Sequence, residues 1–143
     1  MVLSVYEDNL YLICYSPHET DSHSSDITTF SNISNSNTMA VTTSEMELLV
    51  INNMTGQVVR ETSTSSVITQ LQSSHSVLLS GSADGYLRVH DPRTGSTRPG
   101  ESFVKAHSSC IQGLQTTGNL VFTIGLGERF VYSFYVHSTG ELV

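Results

Sequence analysis

The groups in this 143-residue chain that could move a proton, attack a substrate or hold a metal are six histidines, thirteen acidic residues and two cysteines. His107 has the side chain of a general base at neutral pH, although a place in a structural repeat, set out below, accounts for it without catalysis. Asp84 and Asp91 invite a paired-carboxylate reading. They fall at either end of one expected strand, ~20 Å apart by strand rise, too far to share a substrate. His18 and His23 lie near Asp21 and Asp26, but in a polar loop nothing fixes the ligand geometry a metal demands. Gly125-Leu126-Gly127 lacks the rest of a dinucleotide or phosphate-loop fingerprint and suits a strand-end turn. Cys14 and Cys110 show no CxxC spacing, and Cys110 is expected to pack as a small apolar residue in a strand. No catalytic residues, no metal site and no cofactor are expected.

Composition narrows the class. Apolar residues make up 38%, below the usual ~45–50%, and Ser, Thr and Asn fill the difference, which suits short strands between turns. The formal net charge is −7. Glu7, Asp8, Glu19, Asp21, Asp26, Glu45, Glu47 and Glu61 face one base, Arg60, in residues 1–61. That balance argues against direct nucleic-acid binding, which runs on phosphate neutralisation. No apolar run approaches the ~18 residues of a membrane span, and no basic-then-apolar leader opens the chain. A reduced cytoplasmic setting is the expectation from cysteine usage.

The elements that would position these groups repeat. Thr55-Gly56, Thr94-Gly95 and Thr139-Gly140 recur after short apolar runs, at the period of about 40–45 residues seen in WD-type blades. The segments are rich in Val, Ile, Leu and Tyr and bounded by Gly, Asp, Asn and Ser. Strands are expected over 10–15, 38–43, 47–52 and 57–62, then 66–71, 77–82, 86–91 and 101–105, then 110–115, 120–125 and 130–137. Residues 16–37 are Ser/Thr/Asn/Asp/His-rich and are expected to form a loop. The fold class is therefore all-β: an incomplete β-propeller of about three four-stranded WD-type blades, with units near 10–62, 66–105 and 107–140. A closed propeller takes about 4–8 blades, so this chain is expected to be part of a larger ring. An unrelated WD scaffold that completes its ring by oligomerising is the alternative.

Ser80-Gly81-Ser82-Ala83-Asp84-Gly85-Tyr86-Leu87-Arg88-Val89-His90-Asp91 resembles the WD-repeat core, with His90-Asp91 in place of Trp-Asp and Ala106-His107 where the next unit's Gly-His would open. The resemblance implies a structural network of Ser80, Asp84, His90, Asp91 and His107, in which the turn carboxylate of Asp84 holds His107. Arg88, Arg93, Arg98 and Lys105 form a candidate partner-contact patch.

The run Leu78 to Gly95, with Val104-Lys105-Ala106-His107, Ile111-Gln112-Gly113-Leu114-Gln115, Gly118-Asn119 and Thr123-Ile124-Gly125, is more specific. It resembles the N-terminal WD propellers of the catalytic subunits of poly(A)-nuclease deadenylation complexes, in their fungal form. Cys14-Tyr15-Ser16-Pro17-His18 is similar too. The resemblance implies a parent that shortens mRNA poly(A) tails in the cytoplasm, in P-bodies, with a metal-dependent 3′-exoribonuclease domain that has no counterpart here. It also implies a protein partner, a pseudokinase regulatory subunit. The chain itself is then no enzyme but a protein-interaction platform. After Gly125 the spelling departs from that family, and the stretch 128–143 is either a true strand or a foreign tail.

Overall fold

The computed structural model describes residues 2–6, 9–13, 26–74, 77–91, 103–136 and 142. Among them are thirteen strands and no helix, hence no helix long and apolar enough to cross a membrane. β1 (Val2–Tyr6) and β2 (Asn9–Ile13) form a two-stranded hairpin. β3 (Ile27–Asn32), β4 (Thr38–Thr43), β5 (Glu47–Asn52) and β6 (Val58–Ser63) form a four-stranded antiparallel sheet, blade 1. β7 (Ile68–Ser74), β8 (Val77–Ser82), β9 (Tyr86–His90) and β10 (Phe103–Lys105) form blade 2. β11 (Ile111–Thr117), β12 (Leu120–Gly125) and β13 (Val131–Tyr135) form blade 3. A bridge from Val136 to Leu142 returns the chain to the outer edge of blade 3.

The first unit departs from the sequence reading. β3 falls inside the stretch 16–37 expected to be a loop. Ile27, Thr28, Thr29 and Phe30 are β-branched or aromatic and alternate half-buried with exposed, which suits a pleated sheet. The surrounding Ser and Asn residues hide that alternation. The strand expected at 10–15 does not join the blade but pairs with β1, from Val2↔Ile13 to Tyr6↔Asn9. Blade 1 thus runs from Ile27, not from residue 10.

The three blades share local devices. Each first strand carries a register irregularity just after an isoleucine, at Ile27, Ile68 and Ile111. Each hairpin between second and third strands donates one amide back to the residue that precedes the first strand: Ser44 to Asp26, Ala83 to Val67 and Leu126 to Cys110, all at 2.8 Å. Each of those hairpins holds one residue in the left-handed region, Met46 (φ 61°), Gly85 (φ 81°) and Gly127 (φ 73°). The carbonyls of Met46 and Gly85 then accept amides from the chain leaving the fourth strand, Thr64 for blade 1 and both Ala106 and His107 for blade 2. In this way the end of one blade is clipped to its own tight turn before the next blade begins.

Core residues lie between the sheets. Ala40, Leu48 and Val50 of blade 1 meet Ile68, Leu71 and Leu78 of blade 2. Leu79, Leu87 and Val89 of blade 2 meet Ile111, Leu114 and Val121 of blade 3. Gly81 permits the second contact, because a Cβ there would fall 2.6 Å from Ile111 Cγ2. Met39, Val41 and Ile51, on the rear of blade 1, are also buried.

The hairpin residues give a paired stability prediction. Met46 adopts a conformation that costs a residue with a Cβ about 1–2 kcal/mol, partly offset by the entropy a glycine would lose. Met46→Gly should raise unfolding stability in urea by about 0.5–1 kcal/mol. At Gly85 a Cβ would stand 2.1 Å from the His107 carbonyl oxygen, so Gly85→Ala should lower stability by about 2–3 kcal/mol.

Candidate functional site

Polar side chains gather at two places, the ties between strands inside the blades and the outer rim of blade 2. Ser80 on β8 and His90 on β9 are both buried, and Ser80 Oγ shares a 2.7 Å hydrogen bond with His90 Nε2. The imidazole thus takes the place of the expected indole and still ties the second and third strands. Its Nδ1 is buried with no hydrogen-bond partner. Burial, helped by the Arg88 charge, pushes the His90 pKa down to about 4, so the ring is neutral at physiological pH.

His107 is fully buried and uses both nitrogens. Nε2 lies 2.8 Å from Thr123 Oγ1 and Nδ1 lies 2.5 Å from Glu128 Oε2. Glu128 Oε1 also accepts from the Ser108 amide (3.0 Å) and the Ser108 hydroxyl (2.9 Å). The His107 and Ser108 hydrogen bonds hold the Glu128 carboxyl down at about 2. The expected pairing of Asp84 with His107 is therefore replaced. Glu128, in the β12–β13 hairpin, holds the incoming imidazole because that hairpin belongs to the blade His107 enters. Asp84 sits in the hairpin of the blade His107 leaves. No histidine arrives at Asp84 from Thr64 to Val67; it instead pairs with Arg88, Oδ2 to Nη2 at 2.8 Å, and accepts the Tyr86 amide. Burial works to raise the Asp84 pKa, but the Arg88 hydrogen bond, the Tyr86 amide and the Arg88 charge outweigh it and lower it. Asp91 is half-buried just beyond β9.

Sequence reasoning missed Glu128 and Thr123. The signal was present: Gly125-Leu126-Gly127-Glu128 stands in the hairpin that Ser82-Ala83-Asp84-Gly85 fills in blade 2. With both ring nitrogens engaged and the ring buried, His107 has no lone pair to offer a substrate. An open pocket of about 340 Å³ borders it, lined also by Ser108, Glu128, Phe130 and Tyr132.

The rim of blade 2 brings Arg88 and Lys105 together on one aromatic ring. Arg88 Cζ and Lys105 Nζ each lie 4.9 Å from the Tyr86 centroid, and Lys105 Nζ donates to the Asp84 carbonyl at 2.6 Å. Phe103, 60% exposed, packs 5.9 Å from Tyr86. Tyr86 and Phe103 complete this patch and escaped the sequence reading, which counted only charges. Arg93 and Arg98 lie outside the described residues, as do Cys14, His18, Asp21 and His23. Among the described residues no group of histidine, cysteine and acidic side chains could hold a metal. Cys110 is partly buried beside β11. Gly127 forms the turn that ends β12, and Val131–Tyr135 beyond it form β13, whose Phe134 packs against the core.

Stacked antiparallel blades with a buried histidine clipped to the next hairpin define a WD40-type β-propeller fold, here three blades of one. No family model matches the sequence, and a comparison with curated proteins gives no match either. Solved structures do match. The computationally designed Ika4 protein is 26% identical, with a TM-score of 0.69 over 86% of this chain and 73% of its own. The WD40 domain of Neurospora crassa Pan2 is 20% identical, with a TM-score of 0.68 over 82% of this chain and 39% of its own. The RRP9 WD40 repeats are 13% identical, with a TM-score of 0.72. The chain spans 39% and 38% of the lengths of these two natural chains.

Buried His90 and half-exposed Glu128 set the acid response. Both folded pKa values lie below the ordinary ones, so the unfolded chain binds more protons as pH falls and stability drops with it. The His90 contribution is present above pH 6.5 and is lost toward about 4. The Glu128 contribution is present above pH 4.5 and is lost toward about 2. Urea midpoints measured against pH should lose the upper slope in His90→Leu and the lower slope in Glu128→Gln.

Proposed function

We propose that this chain is part of the non-catalytic propeller of a poly(A)-specific 3′-exoribonuclease subunit and serves as a protein-interaction platform in mRNA poly(A)-tail shortening. The observation that carries the reading is the spelling of blade 2, from Ser80 through His90-Asp91-Pro92-Arg93-Thr94-Gly95, which departs from generic WD spelling in the way the deadenylase propellers do. The fold-level likeness to the Neurospora crassa Pan2 WD40 domain supports it. Proteins built on WD40 propellers work by holding other proteins, and the patch of exposed Phe103 and Lys105 with half-buried Tyr86 and Arg88 has the aromatic and cationic make-up of a contact surface. The partner is the pseudokinase regulatory subunit of the deadenylation complex, met in the cytoplasm and in P-bodies.

Titration calorimetry of the chain with that regulatory subunit tests the reading. The wild-type chain should bind. Lys105→Glu and Phe103→Ala, both at exposed positions, should each weaken binding at least about tenfold, as at a contact hot spot. Arg60→Glu, on blade 1, should leave binding unchanged. A wild-type chain that shows no heat with the regulatory subunit contradicts the proposal.

A further inference from the structure

Blade 2 is packed on both faces, by blade 1 on one side and blade 3 on the other. Its outer edge is therefore rim, in three blades or in a closed ring. That edge is β10, whose one strand neighbour among the described residues is β9. Phe103 and Lys105 stand opposite Arg88 and Tyr86 and turn to one face of the sheet, while Val104 turns to the other and packs on the cluster shared with blade 3. The outer strand of blade 1 is different. The register slips opposite β6, between Val50 and Ile51, and Arg60 stands there beside Glu61. β10 pairs in regular register and carries the single charge of Lys105. That charge meets no carboxylate among the described residues. The Asp84 oxygens go to Arg88, and Lys105 Nζ donates to the neutral Asp84 carbonyl, which uses one of its three N–H groups. An unmatched positive charge thus sits on a sheet edge of a chain whose net charge is −7.

We infer that β10 takes an extended segment of a protein partner as a fifth, antiparallel strand, and that this segment reads acid-x-apolar along its own chain. The inference rests on the protein-contact reading of the rim given above and adds the chemistry that the rim selects. The main chain of an edge strand supplies hydrogen bonds to any extended peptide, and the side chains opposite decide which peptide stays. In antiparallel order the partner residue opposite Lys105 comes first, one opposite Val104 follows, and the one opposite Phe103 comes last. An aspartate or glutamate in the first place meets an ammonium that no other carboxylate holds. An apolar residue in the last place covers the Phe103 ring, which is 60% exposed. A lysine or arginine opposite Lys105 would face a like charge, which destabilises a cross-strand pair. A second copy does not fit these terms: the same edge turned onto itself about Val104 sets Phe103 against Lys105 and brings no acid. Three residues make a small contact, so such a segment binds weakly alone and adds specificity to whatever else the partner touches.

Titration of the isotope-labelled chain with capped synthetic pentapeptides, followed by amide chemical shifts, tests it. A peptide of threonines with glutamate second and valine fourth should shift the amides of Tyr86, Phe103, Val104 and Lys105. The peptide with valine second and glutamate fourth, and the first peptide with lysine for glutamate, should each bind at least about threefold more weakly, the size expected of cross-strand pairs. Lys105→Glu should exchange the preference, losing the glutamate peptide and gaining the lysine one, which a change that merely loosened the blade would not do. Lys105→Met should treat the two peptides alike. Equal binding of the two residue orders overturns the inference. So does an oligoadenylate of equal charge that shifts the same amides as strongly, because charge alone would then suffice. If the regulatory subunit binds the chain and no peptide does, the inference falls and the deadenylation reading stands. If the glutamate peptide binds selectively and the regulatory subunit does not bind, the inference stands and the deadenylation reading falls.

Discussion

The carbonyl oxygen of Gly85 accepts the amides of both Ala106 and His107, and the entry of His107 into blade 3 depends on that point. The clip requires a residue in the left-handed region with no Cβ, since the His107 carbonyl occupies the space where one would go. It delivers the His107 ring into blade 3, where Thr123 and Glu128 hold it from two sides. Beside the apolar contacts, Thr69 on β7 donates its hydroxyl to the Ile111 carbonyl at 2.5 Å and Ser74 donates to the Gly118 carbonyl at 3.1 Å, so blade 2 holds both ends of β11. The directional bonds of His107 add to these in fixing how Ile111 and Leu114 pack on Leu87.

Blade 2 solves the same problem with weaker parts. His90 gives less apolar area than an indole and leaves Nδ1 without a partner, a cost of about 1–3 kcal/mol for a buried polar atom. Asp84, with no histidine to hold, turns to Arg88, which also donates to Ser82 at 2.8 Å. The result moves the charge network from the interior of the blade to its rim. There Arg88 and Lys105 flank Tyr86, and the cations are drawn to the ring face. The missing histidine before β7 thus leaves Asp84 to Arg88 and places the charged pair beside Tyr86 on the rim.

Much of this was legible in the chain. The spacing of Val77-Leu78-Leu79 and Tyr86-Leu87-Arg88-Val89 around an Asp-Gly turn marks β8 and β9, because alternation and turn chemistry agree there. β3 was hidden for the opposite reason: Thr28 and Thr29 are polar to the eye but their β-branching suits a sheet edge. The role of Glu128 was hidden by spelling, since the Gly125-Leu126-Gly127-Glu128 hairpin lacks the Asp-Gly pair that marks the same turn in blade 2. The reading of Asp84 as that partner placed the histidine with the blade it follows rather than the blade it opens. The contribution of Tyr86 and Phe103 to the rim needs cross-strand register, Lys105↔Tyr86 and Phe103↔Arg88, which charge counting does not supply.

Native-state hydrogen exchange measures the clip directly, because the amides held on the Gly85 carbonyl open only when the turn of blade 2 releases the segment that leads into blade 3. The account predicts that the Ala106 and His107 amides, although outside any strand, exchange as slowly as those of Leu79 and Val121, and that all four speed up together in Gly85→Ala. If the Ala106 and His107 amides instead exchange as fast as that of exposed Glu45 while the strands stay protected, the clip does not hold the entry to blade 3.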